Sequence, residues 1–210
     1  MTEALRLETL TPAWPLSNGL DDGGLDRLFR TARSQNGWLD APVTESLLRE
    51  AVDLAKMAPT EANSSPLRIV FVKTEEGKAR LKPALAPGNV EKTMTAPVAA
   101  IIAYDAKFYD QLPKLLPHVD ARSWYAGNPK AEDTAKLNAG LEAGYFMLAL
   151  RALGLDVGPI GGFDKDKVDA EFFAGTSFRS TMIVNIGHGD PAKLFPRSPR
   201  LAFDEIATLV

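Results

Sequence analysis

The sequence predicts a mixed domain, mostly helical, with strands interspersed and one strand at its centre. Three observations lead there. The run Pro97 to Tyr104, PVAAIIAY, is apolar at successive positions, so both of its faces need covering and it reads as a central strand. From Leu141 to Leu153 the only charges are Glu142 and Arg151. A helix apolar on nearly every side is buried on nearly every side, in the middle of the fold, at a subunit interface, or both. Finally, 210 residues at 45% hydrophobic and 24% charged is a globular composition. That length suits one domain or half of an intertwined dimer.

The elements follow in order. Residues 1–24 mix Pro, Gly and Asp without periodicity and read as an N-terminal extension ahead of a single domain over 25–210. Leu25, Leu28, Phe29 and Ala32 then recur at helical spacing, and Asn36-Gly37 is a turn signal. Between them, Arg30 to Ser34 holds two arginines and two hydroxyls, which suit an anion or a solvated face. Thr44 is placed to cap a helix whose stripe is Leu47, Leu48, Ala51, Val52, Leu54 and Ala55, with Pro59 ending it. The polar loop Ala58 to Pro66 feeds a β-branched strand, Leu67 to Lys73. Glu75 to Leu85 is helical up to Pro83.

After the central strand, Tyr104 to Tyr125 is rich in aromatic residues and proline and reads as a lid or insertion. Asn128-Pro129 offers a cap and first-turn pair for the apolar helix. Gly154 stands where a left-handed C-terminal glycine belongs. Gly140 and Gly144 leave one flank of that helix bare. Pro159-Ile160-Gly161-Gly162 reads as a loop with almost no side chain at its tip, whose N–H groups are open to a flat partner. Asp164 caps a short helix to about Phe173, and Thr181 to Ile186 is a third strand. Arg197 and Arg200 lie in the tail.

Composition narrows the function. A net charge of −3 gives no basic face, so nucleic acid is not an expected partner. There is no cysteine, which excludes disulfides, thiolate metal sites and cysteine nucleophiles. His118 and His188 are too far apart in sequence for a metal motif. No apolar run approaches the ~20 residues that span a bilayer, and the N-terminus does not read as a signal peptide. The expectation is a cytoplasmic protein with no membrane partner. The common phosphate-binding loops and the nucleophile elbow are missing.

Read together, the pieces have an order. Arg33-Ser34 is followed by Ala58-Pro59-Thr60-x-x-Asn63-x-x-Pro66, then Asn89-x-x-Lys92, then Pro159-Ile160-Gly161-Gly162-Phe163-Asp164, then the two tail arginines. This resembles the FMN-dependent nitroreductase family from about Leu28 to the C-terminus. Within it, the sequence is similar to a branch of malonic semialdehyde reductases of pyrimidine breakdown. The shared stretches are Asn36-Gly37-Trp38, Ser65-Pro66-x-Arg68, Gly88-Asn89, Pro117-His118-x-Asp120-Ala121-Arg122-Ser123-Trp124, Arg151 to Asp156 and Gly162-Phe163-Asp164.

The resemblance implies an α+β nitroreductase-like fold with a central sheet flanked by helices, forming an intertwined homodimer with FMN between subunits and NADH or NADPH as co-substrate. By position, Arg33, Ser34, Arg197 and Arg200 would hold the phosphate, and Pro59, Thr60 and Asn63 would come from the other subunit. Asn89 would bond the pyrimidine edge and Lys92 would sit on the N1/O2 side. Pro159, Ile160, Gly161 and Gly162 would lie against the ring, with the Gly161 N–H facing N5. Arg122, Trp124 and Tyr125 are the substrate-contact candidates, with no protein nucleophile needed. Where many relatives carry Lys or Arg, this chain has Asn36. Ser65 replaces a common Gln, and Gly161 a common Glu.

Three functions fit the resemblance. The first is an NAD(P)H oxidoreductase passing hydride through flavin N5 to a small electrophile, either malonic semialdehyde, giving 3-hydroxypropionate, or nitro compounds and quinones broadly. The second is a flavin-consuming or halide-removing relative. The third is a flavin-binding protein without turnover.

Overall fold

The computed structural model describes residues 19–210. They fall into two compact units, one ending at Ala32 and one spanning Arg33–Val210. Most of the extension expected over residues 1–24 lies outside the described residues. In the first unit, Asp21 accepts the Gly24 N–H at 2.7 Å and caps a helical turn, Asp22–Leu25. The turn widens into a π-helical stretch, Asp26–Arg30. Arg30 pairs with Asp22 and Asp26 at 2.8 and 3.2 Å.

The second unit is built on a four-stranded antiparallel sheet of order β1-β2-β4-β3, with β1 Leu67–Val72, β2 Val98–Asp105, β3 Asp156–Ile160 and β4 Phe178–Gly187. Five helices of seven residues or more accompany it: α1 Glu45–Ala55, α2 Glu75–Leu81, α3 Pro87–Met94, α4 Ala131–Ala152 and α5 Lys165–Phe172. Every residue of β2 is buried, as its two-sided apolar pattern requires. Val98, Ala100 and Ile102 face one core with Leu48 and Ala51 of α1 and Ala143, Phe146 and Leu150 of α4. Ala99, Ile101 and Ala103 face the other, with Leu81 of α2 and Val168 of α5. The result is helix, sheet, helix.

Several expectations hold locally. Thr44 accepts the Leu47 N–H and caps α1. Asp164 accepts the Lys167 N–H at 3.1 Å and caps α5. Gly154 has φ of +88°, and the next N–H, of Leu155, reaches back to the Leu150 carbonyl at 2.9 Å, closing α4 in the expected left-handed manner.

Others need correction. Pro159 and Ile160 are not loop but the end of β3, paired with Val184 and Ile183, so the strand at 178–187 is the fourth and not the third. Proline is tolerated there because β3 is an edge strand. The stretch before β2, to which the sequence assigned no element, is helix α3, opened by Pro87 in the first turn where its missing N–H costs nothing. Helix α4 begins at Ala131, and Asn128 instead accepts the Lys130 N–H in the preceding turn. Nor is α4 buried all round within one chain. Leu137 is 65% exposed, and Leu141 and Tyr145 are exposed beside it. The segment after β2 is more ordered than a loose lid. Phe108, Leu112 and Tyr125 are buried against Ala135 and Ala139 of α4 in a small core of their own.

Candidate active site

Edge strand β3 organises the first group of candidate residues. The segment after Arg33 runs along its outer side: Ser34 bridges Val157 in parallel, and the Gln35 N–H donates to the Val157 carbonyl at 3.0 Å. The segment then crosses to the end of β4, where Trp38 bridges Gly189 and the Leu39 N–H donates to the His188 carbonyl at 2.8 Å. Trp38 fits against two glycines. A Cβ at Gly187 would come within 2.8 Å of its ring, and one at Gly158 within 3.3 Å. The Trp38 Nε1–H donates to the Lys92 carbonyl at 2.8 Å, and Lys92 Nζ donates to Asn36 Oδ1 at 3.2 Å. The strap and α3 are therefore fastened together at Lys92.

One turn earlier on α3, Asn89 Nδ2 donates to the Gly162 carbonyl at 2.9 Å, as does the Ala86 N–H at 3.1 Å. A Cβ at Gly162 would lie 2.5 Å from Asn89 Nδ2, so the close approach needs glycine. Gly161 differs: nothing lies within 4 Å of where its Cβ would be. With Nδ2 turned inward, Asn89 offers its carbonyl oxygen as an acceptor, suited to an N–H of a ligand. Asn89 and Lys92, one turn apart on α3, and the glycine backbone at Gly161 and Gly162 are together termed the cradle.

The tail meets this group at Arg33, whose guanidinium donates to the Phe195 carbonyl. Arg200 is exposed and turns Nη1 onto the Ser198 and Pro199 carbonyls at 2.9 and 3.1 Å. Among the described residues, no hydrogen bond or ion pair joins Arg200 to Arg33 or Ser34.

The second group sits at the start of β1, the other edge of the sheet. Pro59 and Thr60 precede a 3₁₀ turn, Glu61–Asn63. Ala62, Asn63 and Ser65 have φ of 52°, 52° and 38°, a left-handed conformation that costs non-glycine residues roughly 1 kcal/mol or more each. Side chains hold the loop there. Thr60 Oγ1 accepts the Ser65 N–H at 3.2 Å and Asn138 Oδ1 accepts the Glu61 N–H at 2.8 Å. Asn63 Nδ2 donates to the Leu115 carbonyl at 2.8 Å. Ser64 Oγ is fully buried and unpartnered.

The substrate-contact candidates attach to this second group. The Tyr125 hydroxyl donates to Glu61 Oε1 at 2.6 Å, and burial together with that bond pushes its pKa up to about 12. Tyr125 is 7% exposed, whereas Trp124 beside it is 53% exposed. Arg122 is ion-paired with Asp110 at 3.0 Å and lies over the Tyr109 ring. Arg68 is likewise engaged, with Asp105 at 2.8 Å.

A cavity of about 800 Å³ lies between α1, α4 and β1, lined by Leu48, Val52, Leu67, Ile69, Phe71 and Glu142 among others. It contains none of the residues matched to the flavin site, and its lining also carries charged residues, among them Arg49, Asp53, Lys56, Arg68 and Lys73. The open backbone at Gly161 beside Asn89 and Lys92 favours the cradle instead. Sequence reading missed Glu61 and Asn138, which act on residues far away in sequence, and nothing local in the chain flags them.

An antiparallel four-stranded sheet between helices, with the cradle at its edge strand, defines an α+β protein of nitroreductase type. The family model described as the Nitroreductase family matches residues 30–188, and the chain belongs to that family. It is 58% identical over 191 residues to a Burkholderia lata protein carrying the name putative NADH dehydrogenase/NAD(P)H nitroreductase, covering 90% of this chain and 98% of the relative. A Cupriavidus pinatubonensis protein of the same name is 57% identical over 189 residues, with 88% and 96% covered. Among solved structures, a nitroreductase family protein from Streptococcus pneumoniae superposes with a TM-score of 0.76 at 26% identity, covering 87% of this chain and 98% of that one. A nitroreductase-named protein from Exiguobacterium sibiricum, solved in complex with FMN, gives 0.79 at 24% identity, covering 92% and 99%. The fold expected from the resemblance is the fold observed.

Proposed function

We propose that the chain is an FMN-dependent NAD(P)H oxidoreductase that acts as a cytoplasmic homodimer on small electrophiles. The observation that supports this most is the junction of α3 with the end of β3. It sets an amide acceptor, a lysine and open glycine backbone around one cradle, a donor set that fits a flat heterocycle with polar edges. FMN, when bound, supplies the two-electron chemistry, taking hydride from NAD(P)H and giving it to the acceptor. The protein's part is binding and charge. Asn89 would read the polar edge, Lys92 would bring a cation to a ring that gains negative charge on reduction, and the Gly161 N–H would face the ring. Pro159, Ile160 and Gly162 would lie against it, Ile160 through its backbone because its side chain is buried in the core. Arg33 with Ser34, Arg197 and Arg200 would hold the phosphate, arginine's forked donors suiting its oxygens. The Arg33 bond to Phe195 supports a tail that folds back toward that phosphate.

The dimer reading rests on two observations. Pro59, Thr60 and Asn63 lie at the opposite sheet edge from the cradle, so a second subunit would have to supply them. Leu137, Leu141 and Tyr145 form an exposed apolar stripe on α4, beside Gly140 and Gly144, whose missing side chains leave room for a close neighbour. No helix of the described residues is long and apolar enough to cross a membrane.

Among acceptors, nitro compounds and quinones fit better than the finer alternative, malonic semialdehyde. That acid needs a cation for its carboxylate, and both Arg122 and Arg68 already face carboxylates of this chain. The deciding experiment is an anaerobic absorbance spectrum of the purified protein before and after NADH and NADPH. A yellow dimer that bleaches on addition is expected. A colourless monomer indifferent to added FMN would overturn the proposal, and a yellow protein that NAD(P)H fails to bleach would leave only the binding role.

A further inference from the structure

We infer that Asn36 is a positioning residue for Lys92, setting through it how readily the bound flavin is reduced. The inference rests on the reading of the cradle as a flavin site. Its basis is the contact of Lys92 Nζ with Asn36 Oδ1 at 3.2 Å and the rigidity of what presents Asn36. The strap is pinned on both sides of that residue. Gln35 is bonded to Val157, the Gly37 carbonyl accepts the Asp190 N–H at 3.0 Å, and Leu39 is bonded to His188. Gly37 has no room for a side chain, since a Cβ there would come 2.5 Å from Lys193 Cγ. Two positions beyond Asn36, Trp38 holds the main chain of Lys92 as well. The lysine is gripped at its backbone and at its ammonium by one short segment.

The chemistry of an amide at this position is specific. A lysine has four side-chain torsions, and ordering them costs entropy, so a free ammonium would be spread over many positions. Oδ1 of Asn36 takes one of its three donors and leaves two. It also leaves the positive charge intact, which a carboxylate at residue 36 would cancel. A lysine or arginine there would place a second cation beside Lys92. Asn36 thus fixes one full charge in place, neither diluted nor doubled.

The test uses the full-length FMN-loaded protein and reads the two-electron midpoint potential of the flavin by equilibration with reference dyes, together with the melting temperature. Asn36→Ala is expected to lower the equilibrium constant for flavin reduction by roughly three- to tenfold, ~15–30 mV for a two-electron couple. In a Lys92→Met background the same substitution should change nothing, because Asn36 acts through the ammonium. Should Asn36→Ala not fold, Asn36→Asp preserves size, and it is expected to lower the potential while Asn36→Lys raises it. A merely structural residue would move both variants the same way. The inference is overturned if Asn36→Ala leaves the potential unchanged, if its effect is equal with and without Lys92, or if the Asp and Lys variants shift together. These results are distinct from failure of the flavin reading, which would show as a protein that takes up no FMN at all.

Discussion

Asn89 and Gly162 are joined by a bond that only glycine permits: Nδ2 donates to the Gly162 carbonyl at 2.9 Å, and a Cβ at 162 would stand 2.5 Å from the same nitrogen. The neighbouring Gly161 has open space around it. Two adjacent glycines therefore answer to different demands, and substitutions should separate them. Gly162→Ala is expected to destabilise the protein by about 1–3 kcal/mol through the displaced amide and its lost hydrogen bond. Gly161→Ala should stay within about 0.5 kcal/mol of the parent in urea unfolding. Equal stability loss in both variants would contradict the assignment.

The arginines make a second prediction. Arg33→Ala and Arg200→Ala should each weaken FMN binding by about 1.5–3 kcal/mol, roughly 10- to 150-fold, the usual worth of a hydrogen bond to a charged group. Arg200 would first have to leave the Ser198 and Pro199 carbonyls it now contacts. Fluorescence titration of the apoprotein with FMN at low and high salt is the measurement. An Arg200 variant with unchanged affinity at both salts would mark that residue as a surface charge.

The fold was largely legible because its signals are local and strong. The two-faced apolar run of β2, the caps at Thr44 and Asp164 and the glycine after α4 are each written in adjacent residues. Strand β3 was hidden because Asp156–Ile160 carries Gly158 and Pro159, which elsewhere spell a turn. Only its place at the sheet edge makes them acceptable. The order of site motifs was legible, but their couplings were not. Lys92 with Asn36 spans 56 positions and Tyr125 with Glu61 spans 64. The left-handed backbone at Ala62, Asn63 and Ser65 had no glycine to announce it.

Tyr125 gives a third prediction. Sequence reading made it a substrate-contact candidate, but its hydroxyl is buried and spent on Glu61. Tyr125→Phe should therefore keep most of the activity while losing roughly 1.5–3 kcal/mol of stability, the range for a hydrogen bond to a carboxylate. The folded pKa of about 12 lies above the ordinary tyrosine value. The contribution is then full below the unfolded pKa of about 10 and lost as pH rises through about 12. Urea unfolding of both proteins near neutral pH should show the whole difference. A large fall in kcat with stability intact would return Tyr125 to the chemistry.

A fourth prediction concerns Glu142, buried on α4 with its carboxylate accepting the Leu67 N–H at 2.8 Å. Burial raises its pKa, with that hydrogen bond and the charge of Arg68 opposing. A group raised on folding stabilises fully below its unfolded pKa and loses that contribution as pH rises through the folded value. The parent should accordingly gain stability relative to Glu142→Gln as pH is lowered from about 7 toward about 4. Urea midpoints for the two proteins across that range are the check. A difference independent of pH would mean that Glu142 titrates alike in both states.

The last prediction is about the acceptor. A nicotinamide and an oxidising substrate that use one flavin face must take turns, so double-reciprocal plots at varied NAD(P)H should be parallel. Nitroaromatics and quinones need no carboxylate clamp, and we expect both to be reduced. Malonic semialdehyde would need a cation to hold it and a proton for its carbonyl oxygen as hydride arrives. Arg122 is the nearest in sequence to exposed Trp124, but it is occupied by Asp110 at 3.0 Å. Freeing it would forfeit an exposed ion pair worth only about 0–1 kcal/mol, so the pairing weakens the aldehyde reading without forbidding it. Arg122→Ala separates the cases. With nitroaromatic or quinone acceptors its KM should stay within about twofold of the parent, which is under about 0.5 kcal/mol. A tenfold or larger rise in KM confined to malonic semialdehyde, about 1.4 kcal/mol, would show that the arginine leaves Asp110 to hold a substrate carboxylate. That result would restore the narrower substrate. Intersecting lines with any acceptor would overturn the shared face itself.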